Sequence, residues 1–355
     1  MLSYLIRRLL LLIPTMIGAT ALIFFVMELS PVSVTNTLLS REGNVLPGAR
    51  KAREEYLNRR YGLNNPPVVR YFKWLNGISP VGVKEAGEGF PGAWRFGFKT
   101  PDLGDSFPQS KKVSEIILDA LPVTLLLQAI SIPIAYGIAI WTGIFTARHR
   151  GKIQDIATGS GLLALWSLPV IWVSVMLIGF FANKHYFPWF PTGELHEPQS
   201  TEWTFLPGNG TRGWLLDTAW HLILPVVCLT YANFAYLSKL TRAALLDTLG
   251  ADFVRTARAK GLGERVVLYR HAFRNSLLPL ITVFASLLPV MITGSVVVEK
   301  VFSINGTGRM IIDSMLAKDT ELFLSVSTIT LLLQLVGYLL ADFAYVLADP
   351  RVSYE

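Results

Sequence analysis

The residue groups closest to known catalytic motifs each lack a required member. The segment 104–108 contains Ser106 but ends in Pro108, where the nucleophile elbow of a serine hydrolase needs glycine. The segment Arg150–Ile153 lacks the flanking glycine and the serine or threonine of a phosphate-binding loop. The five histidines have no metalloprotease spacing, and Cys228 is the single cysteine. The sequence therefore predicts a protein that is not an enzyme, has no ATP site of its own and holds no metal.

A basic stretch between two apolar runs has the pattern of a short amphipathic helix. Asp252 can cap its N-terminus, Phe253 and Ala257 fall four residues apart on one face, and Gly261 can supply the left-handed residue that ends it. A second helix is predicted from Glu264 to Asn275. Basic helices beside a membrane commonly lie on anionic headgroups, so this pattern alone leaves open whether its partner is lipid or protein.

Two carboxylates near the ends of apolar runs each allow two interpretations. Asp342 lies inside the last run, where a carboxylate is by default a functional candidate, but it can equally pair with a nearby arginine or cap the backbone. Glu299 follows the fifth run and either lies at an outer mouth, where it can contact a ligand, or caps a helix end in water.

The elements that must position these residues are membrane helices. The 355-residue chain is 52% hydrophobic and 16% charged, and six long apolar runs alternate with charged segments. Because lipid offers no hydrogen-bond partners, such runs cross as helices, and prolines inside them kink but do not abolish them. The runs are Leu9–Met27, Ala120–Ala147, Ile156–Ala182, Ala219–Leu240, Leu277–Val298 and Leu322–Leu347. The fold class is therefore an all-α integral membrane protein with six transmembrane helices.

Arginine and lysine in the short loops predict the orientation. Basic residues gather at 148–152 and 241–276, and such loops stay on the cytoplasmic side. Both termini are then cytoplasmic, and the net charge of +7 is explained without nucleic acid. The loop 29–119 lies on the external side, where loops of that length escape the charge rule, and it has the composition of a folded cap with a helix-like patch at 49–60.

Several segments resemble one transporter family. Arg255-Thr256-Ala257 followed by Gly261 is similar to the E-A-A-x-x-x-G loop of ABC importer permeases, in the T-A-R-A-K-G form of the peptide branch, with Arg255 replacing the glutamate of the general motif. His271 to Pro279 resembles the H-x-x-R-N-x-x-L-P segment of dipeptide and oligopeptide permeases, which here stands in place of the general I-x-L-P close. Further matching segments are 4–9, 60–63, 66–74, 102–106, 121–122, 294–299, 302–308, Asp342 and 349–351. The long first loop and Phe302–Gly308 are especially similar to Yej-type permeases.

This resemblance implies the type I ABC importer permease fold in the cytoplasmic membrane. Residues 1–28 would form the N-terminal transmembrane helix, 29–119 the extracytoplasmic cap, and 120–355 the permease core with a coupling loop at 241–276. The chain would form half of the pore of an ATP-driven importer of peptides, beside a second, related permease, two cytoplasmic ATPases and an extracytoplasmic solute-binding protein. No cofactor is implied for this chain, because ATP and Mg belong to the ATPases.

The resemblance also implies roles for individual residues. Coupling to the ATPase falls to Asp252, Phe253, Arg255, Thr256, Ala257, Arg258, Ala259, Lys260, Gly261, Leu262, His271, Arg274 and Asn275. The outer gate or the contact with the binding protein falls to Asp102, Gly104, Ser106, Glu299, Phe302, Asn305, Gly306 and Gly308. No residue is implied to be catalytic.

Two alternatives remain open at this point. Members of the same family that carry nickel complexes or sugars would show the same motifs, since the binding protein does most of the selection. An ion-coupled secondary transporter would also have several proline-containing spans, but it would usually place several acids or histidines at mid-membrane.

Overall fold

A computed structural model describes residues 2–29, 65–85, 94–106, 108–208, 211–277, 279–284, 294–317 and 319–348, with side chains for all of these except 2–6, 84, 85, 94, 201, 202 and 341–348. In chain order its elements are α1 (Leu2–Glu28), α2 (Pro67–Ile78), β1 (Val81–Glu85), β2 (Trp94–Phe98), β3 (Asp105–Ser106), β4 (Lys111–Lys112), α3 (Val113–Arg148), α4 (Ile153–Ser167), α5 (Val170–Phe181), α6 (Gly213–Leu249), α7 (Asp252–Ala259), α8 (Glu264–Val266), α9 (Arg274–Ser276), α10 (Val296–Val301), α11 (Thr307–Ala317) and α12 (Thr320–Ala348). A 3-10 helix covers Pro198–Glu202, a π-helix covers Val267–Phe273, and residues 279–284 are helical.

Four helices in the described residues are long and apolar enough to cross a bilayer, and they are α1, α3, α6 and α12. They confirm the first, second, fourth and sixth predicted runs. Prolines lie inside three of them without ending them, as expected. Only the two ends of the fifth run, Leu277–Val298, fall within the described residues, so the count of six spans stays a prediction.

The third run differs from the prediction of one kinked helix. Helices α4 and α5 meet at an angle of 93° across Leu168 and Pro169. Proline lacks the backbone N–H and forces the residue before it out of the helical region, and Leu168 is extended at φ −79° and ψ 125°. The hydroxyl of Tyr231 donates to the Leu168 carbonyl oxygen at 2.8 Å, so the broken turn keeps a hydrogen-bond partner inside the protein.

The structure divides into two compact units. The first comprises 1–119 and 310–332, and the second comprises 120–309 and 333–355. The first unit has a buried cluster of Phe24, Tyr71 and Leu324, and the second has two larger clusters around α6. The predicted division into an N-terminal helix, a cap and a permease core remains a prediction.

The described part of the first loop contains a helix and two small antiparallel sheets. Strand β1 pairs with β2, with Val81 opposite Phe98, and β3 pairs with β4, with Asp105 opposite Lys112. The helix-like patch predicted at 49–60 lies outside the described residues.

Candidate functional site

The predicted coupling helix is present as α7, but Asp252 does not cap it. Ala251 occupies the N-cap position with extended backbone angles, and no side chain caps the helix. The Asp252 side chain is 97% exposed and lies 3.5 Å from the Arg255 guanidinium as an ion pair. Asp252 therefore contributes a negative charge to the first turn, which the helix dipole favours, and not a capping bond.

The structure shows which residues of α7 are buried. Val254 and Ala257 are the buried residues, whereas Phe253 is 44% exposed, so Phe253 and Ala257, which were predicted to fall on one face, are not buried together. Val254 and Ala257 share one buried cluster with Leu245 and Leu268. Ile144, Ala147, Val267 and Ala272 complete that cluster.

The end of α7 follows the prediction. Gly261 has φ +78°, the left-handed conformation that glycine adopts at least cost. Its N–H donates to the Arg258 carbonyl oxygen at 2.9 Å, and the Leu262 N–H donates to the Ala257 carbonyl oxygen at 3.3 Å. A Cβ atom built at Gly261 would meet nothing within 4 Å. The requirement for glycine within this chain is therefore one of backbone conformation and not of space.

The outer surface of α7 is polar with apolar members at both ends. Arg255, Thr256, Ala259 and Lys260 are exposed there. Phe253 and Leu262 add partly exposed apolar surface. Arg258 donates to Glu264 at 2.8 Å, which ties the end of α7 to the start of the next helical segment.

The second predicted helix, Glu264 to Asn275, is observed as a continuous helical segment with a π-helix in its middle. Arg274 and Asn275 are exposed and His271 is partly buried, with the Asn275 amide donating to the His271 carbonyl oxygen at 3.1 Å. No sequence pattern predicted the π geometry, which often occurs at functional sites.

Helix α6 and a partly buried ion pair hold this region in place. The fourth run was predicted to end at Leu240, but α6 continues to Leu249, so Arg242 belongs to the helix and not to the loop. Its guanidinium donates to Asp155 at 2.7 and 2.8 Å, and the Gly151 N–H donates to the same carboxylate at 3.0 Å. The sequence analysis missed this pair, although both residues stand singly at the ends of neighbouring apolar runs.

The predicted outer residues Asp102, Gly104 and Ser106 lie together in the first unit. The Asp102 carboxylate accepts from the Gly104 N–H at 2.9 Å, and Gly104 has φ +80°. The Ser106 hydroxyl donates to Asp319, a buried carboxylate that also accepts from the Leu322 N–H at 3.2 Å. Burial raises the pKa of Asp319 above its usual value, against the lowering effect of these hydrogen bonds. The sequence analysis missed Asp319.

The remaining outer residues lie in the second unit around Glu299. Its side chain is buried, so the alternative in which Glu299 caps a helix end in water is wrong. One carboxylate oxygen accepts from Thr124 at 3.1 Å and from the Ser295 N–H at 3.2 Å, and the other accepts from the Arg309 N–H at 3.0 Å. Burial raises the pKa of Glu299, while these donors lower it.

Three glycines make room for this carboxylate. A Cβ atom at Gly294 or Gly306 would lie 2.4 Å from a Glu299 oxygen, and one at Gly308 would lie 2.8 Å from the Val296 backbone nitrogen. Thr124, which the sequence analysis missed, accepts from the Thr307 N–H at 2.8 Å and so joins the same cluster.

Phe302 and Asn305 have different surroundings. Phe302 is buried in the cluster around α6, and its carbonyl oxygen accepts from the Glu194 N–H at 2.8 Å. The Asn305 side-chain oxygen accepts from the Arg309 guanidinium at 2.9 Å in an exposed position. Phe302 therefore fixes the loop, and Asn305 lies on its surface.

A further cluster that the sequence analysis missed joins the loop after α5 to α6. His196 Nδ1 lies 3.0 Å from the Thr218 hydroxyl, and the buried Asp217 accepts from the Glu197 N–H at 2.9 Å. His221 Nδ1 lies 3.5 Å from the other Asp217 oxygen. Burial lowers the pKa of His196, the Asp217 carboxylate raises it, and His221 lowers it.

Comparison with known families identifies the class of protein. The model for the inner membrane component of binding-protein-dependent transport systems matches residues 139–354. A second model, for the N-terminal part of such membrane components, matches residues 1–128. The chain belongs to the family of inner membrane components of binding-protein-dependent transport systems, and it is an integral membrane protein of the type I permease fold.

Individual relatives align over the whole chain. The chain is 35% identical over 357 residues to the oligopeptide transport system permease protein AppB of Bacillus subtilis, with 100% of both covered. It is 31% identical to the inner membrane ABC transporter permease protein YejB of Escherichia coli O157:H7, with 99% of both covered. It is 30% identical to the dipeptide transport system permease protein DppB of Alkalihalophilus pseudofirmus, with 100% of both covered. The predicted resemblance to dipeptide, oligopeptide and Yej-type permeases is confirmed.

Proposed function

We propose that this chain is the permease subunit of an ATP-driven, binding-protein-dependent importer of peptides and forms half of its pore. The observation that carries the proposal is the two-sided surface of α7. Its inner face packs on the chain's own helices, and its outer face presents Phe253, Arg255, Lys260 and Leu262 beside a glycine with open space. Such a surface suits a protein partner that approaches closely at Gly261.

The packing of α7 suggests how a push from that partner would reach the membrane helices. Val254 and Ala257 share a cluster with Ile144 of α3 and Leu245 of α6, so α7 would move together with the ends of two spans. The Arg242–Asp155 pair adds α4 to the same group. Rigid-body movement of packed helices is a known way in which a protein changes from one conformation to another.

Peptides are the proposed cargo because relatives that align over the whole chain carry peptide, dipeptide and oligopeptide transport in their names. The structure gives little support to an ion-coupled secondary transporter. The charged or titratable residues that such a transporter could use lie near helix ends and already have partners in the chain, and they are Asp155, Asp217, His221 and Arg242. Importers of nickel complexes or sugars remain the alternative within the family.

The proposal places the coupling surface and both termini in the cytoplasm. The partners are a second permease, two ATPases that hold ATP and Mg, and a solute-binding protein that meets the outer residues around Asp102–Ser106 and Glu299–Gly308. The chain itself would hydrolyse nothing and hold no cofactor.

A glycine substitution tests the coupling proposal. In Gly261→Asn, the asparagine tolerates a left-handed backbone, so the fold is kept while a side chain enters the open space. We expect normal membrane insertion but loss of ATP-driven peptide uptake in proteoliposomes that contain the complete transporter. Gly263→Asn is the matched control, since Gly263 also has open space around a Cβ atom.

One result would contradict ATPase coupling through α7, and a different result would contradict the importer itself. Uptake by Gly261→Asn equal to that of the control would contradict ATPase coupling through α7. If the unaltered chain purified without an ATPase and moved solute in response to an ion gradient, the chain would be a secondary transporter and not an importer subunit.

A further inference from the structure

Helix α2 packs along the membrane-spanning helix α1 and not merely above its end. The Tyr71 hydroxyl donates to the Ile17 carbonyl oxygen at 2.9 Å and lies 3.0 Å from the Thr20 hydroxyl. The Tyr71 and Phe24 rings are 5.6 Å apart, and Arg70 pairs with Glu28. The contacts of α2 therefore extend from Ile17 to Glu28 along α1.

These contacts measure the depth of α2. The apolar run Leu9–Met27 lies within α1 and is followed by Glu28 at the end of the helix. At about 1.5 Å per residue this run spans ~28 Å, close to the ~30 Å of a hydrocarbon core. Phe24 then lies about 6 Å, and Thr20 about 12 Å, inside the end of the span.

Helix α12 gives the same depth independently. Leu324 shares the buried cluster of Phe24 and Tyr71, and it lies about one turn after Thr320, the first residue of α12. Leu324 is thus also about 6 Å inside the end of its span. The body of α2 therefore lies at the boundary between headgroups and acyl chains.

The other face of α2 is apolar and exposed. Val68 is 53% exposed, Val69 is 43% exposed and Phe72 is 59% exposed, and the three share one stripe on the side of α2 opposite Trp74, which packs against the buried cluster. Lys73 is exposed next to this stripe, and α2 contains no acidic residue. A short basic helix with one aromatic and aliphatic face is typical of helices that lie in the membrane interface, where a lysine stem can reach the headgroups.

We propose that α2 is an interfacial membrane helix whose stripe of Val68, Val69 and Phe72 contacts lipid acyl chains. Protein contacts from the same unit already cover the inner face, and the depth of the outer face leaves the bilayer as its neighbour. At its C-terminal end, the Asn76 side chain bonds both backbone groups of Val83, at 2.9 and 3.0 Å, and so connects the β1–β2 hairpin to the membrane-seated helix. The first loop thus returns to the bilayer surface.

Spin labels on single cysteines test this proposal in the full-length chain. The buried Cys228 is replaced in a Cys228→Ser background, and labels are attached in Val69→Cys, Phe72→Cys and the control Thr100→Cys, an exposed loop position of the same unit. Power saturation in lipid nanodiscs then compares collisions with oxygen, which concentrates in lipid, and with a water-soluble nickel chelate. We expect the oxygen-to-nickel ratio at the two α2 positions to exceed the control value several-fold.

Two results would overturn the proposal. Nickel access at Val69 and Phe72 equal to that at Thr100 would place the stripe in water. Exclusion of both reagents there, with the control accessible, would show that protein covers it. The proposal rests only on α1 and α12 crossing the membrane, so its failure would leave the importer proposal intact.

Discussion

Glu299 gathers donors from parts of the chain that no sequence pattern links. Thr124 is 175 residues away, and Arg309 contributes a backbone N–H that any residue type would supply. The resemblance in the segment 294–308 identified Glu299 and its glycines, but not their mutual contact. Burial of the carboxylate could not be predicted, because the position after an apolar run suits exposure equally well.

The first prediction concerns the Glu299→Gln variant. The amide keeps the shape of the side chain but turns an NH₂ group toward the N–H donors of Ser295 or Arg309. Leaving a buried donor without an acceptor costs about 1–3 kcal/mol, so we expect a lower unfolding midpoint and faster hydrogen exchange in residues 302–309. Thermal unfolding in detergent and exchange mass spectrometry measure the two effects.

Glu197→Gln is the control for this variant, because the Glu197 side chain is exposed and Glu197 makes its hydrogen bonds through its backbone N–H and carbonyl groups, which the substitution keeps. Equal exchange rates in 302–309 for the two variants would mean that the carboxylate does not hold this segment.

The sequence also did not predict the partners of three charged residues, namely Asp155, Arg242 and Asp319. Each is a charged residue at the border of an apolar run, where exposure to water is the usual outcome. The structure pairs Asp155 with Arg242 across 87 residues and gives Asp319 the Ser106 hydroxyl across 213 residues. Partners so distant follow from the packing of helices, which hydropathy does not specify.

At the scale of elements, the pattern of α7 predicted its length and its terminal glycine but not which of its residues are buried. Spacing alone allows Ala257 to share a face with Phe253 or with Val254. The structure buries Val254 in the cluster that contains Leu245, Val267 and Leu268. Phe253 is thereby left for a partner.

The second prediction distinguishes the role of Val254 in stability from the role of Phe253 in ATPase binding. Val254→Ala should destabilise the isolated chain by about 1–3 kcal/mol through lost packing. Phe253→Ala should leave the stability of the chain nearly unchanged but weaken ATPase binding about tenfold, equivalent to ~1.4 kcal/mol. Thermal unfolding and titration with the purified ATPase measure the two quantities, and each variant serves as the control for the other. Equal losses of ATPase binding would contradict the assignment of the outer face to Phe253.

The third prediction concerns the loop between α5 and α6, which contains His196. Because burial lowers the pKa of His196 below its ordinary value of 6.5, the folded loop favours the neutral ring. The stabilisation is present above pH 6.5 and is lost as the pH falls through 6.5 toward the lowered value. We expect the exchange of residues 193–202, corrected for intrinsic rates, to accelerate on acidification from about pH 7.5 to 5.5.

His196→Asn should remove this pH dependence, whereas His185→Asn, at an exposed position in the same loop, should retain it. Persistence of the pH dependence in His196→Asn would assign it instead to the neighbouring Asp217 and His221.

At the scale of the whole molecule, hydropathy predicted four of the long helices because lipid imposes one solution on a long apolar run. It did not predict the break between α4 and α5, because the sequence shows Pro169 but not the Tyr231 hydroxyl that satisfies the opened turn. The first loop was predicted as an external cap, and the proposed membrane contact of α2 was not visible because a 12-residue helix is too short to register as a span.

The π-helix at Val267–Phe273 has a consequence for how related chains can tolerate insertions and deletions. A π turn is an α-helix with a surplus residue, and each residue of an α-helix rotates the chain by about 100°. Because the wider turn absorbs that surplus residue, deleting one residue here would relax the segment to an α-helix and leave Arg274, Asn275 and the chain after them at nearly the same angle about the axis. Related chains can therefore gain or lose one residue in this segment without a compensating change in the chain that leads into the fifth membrane run.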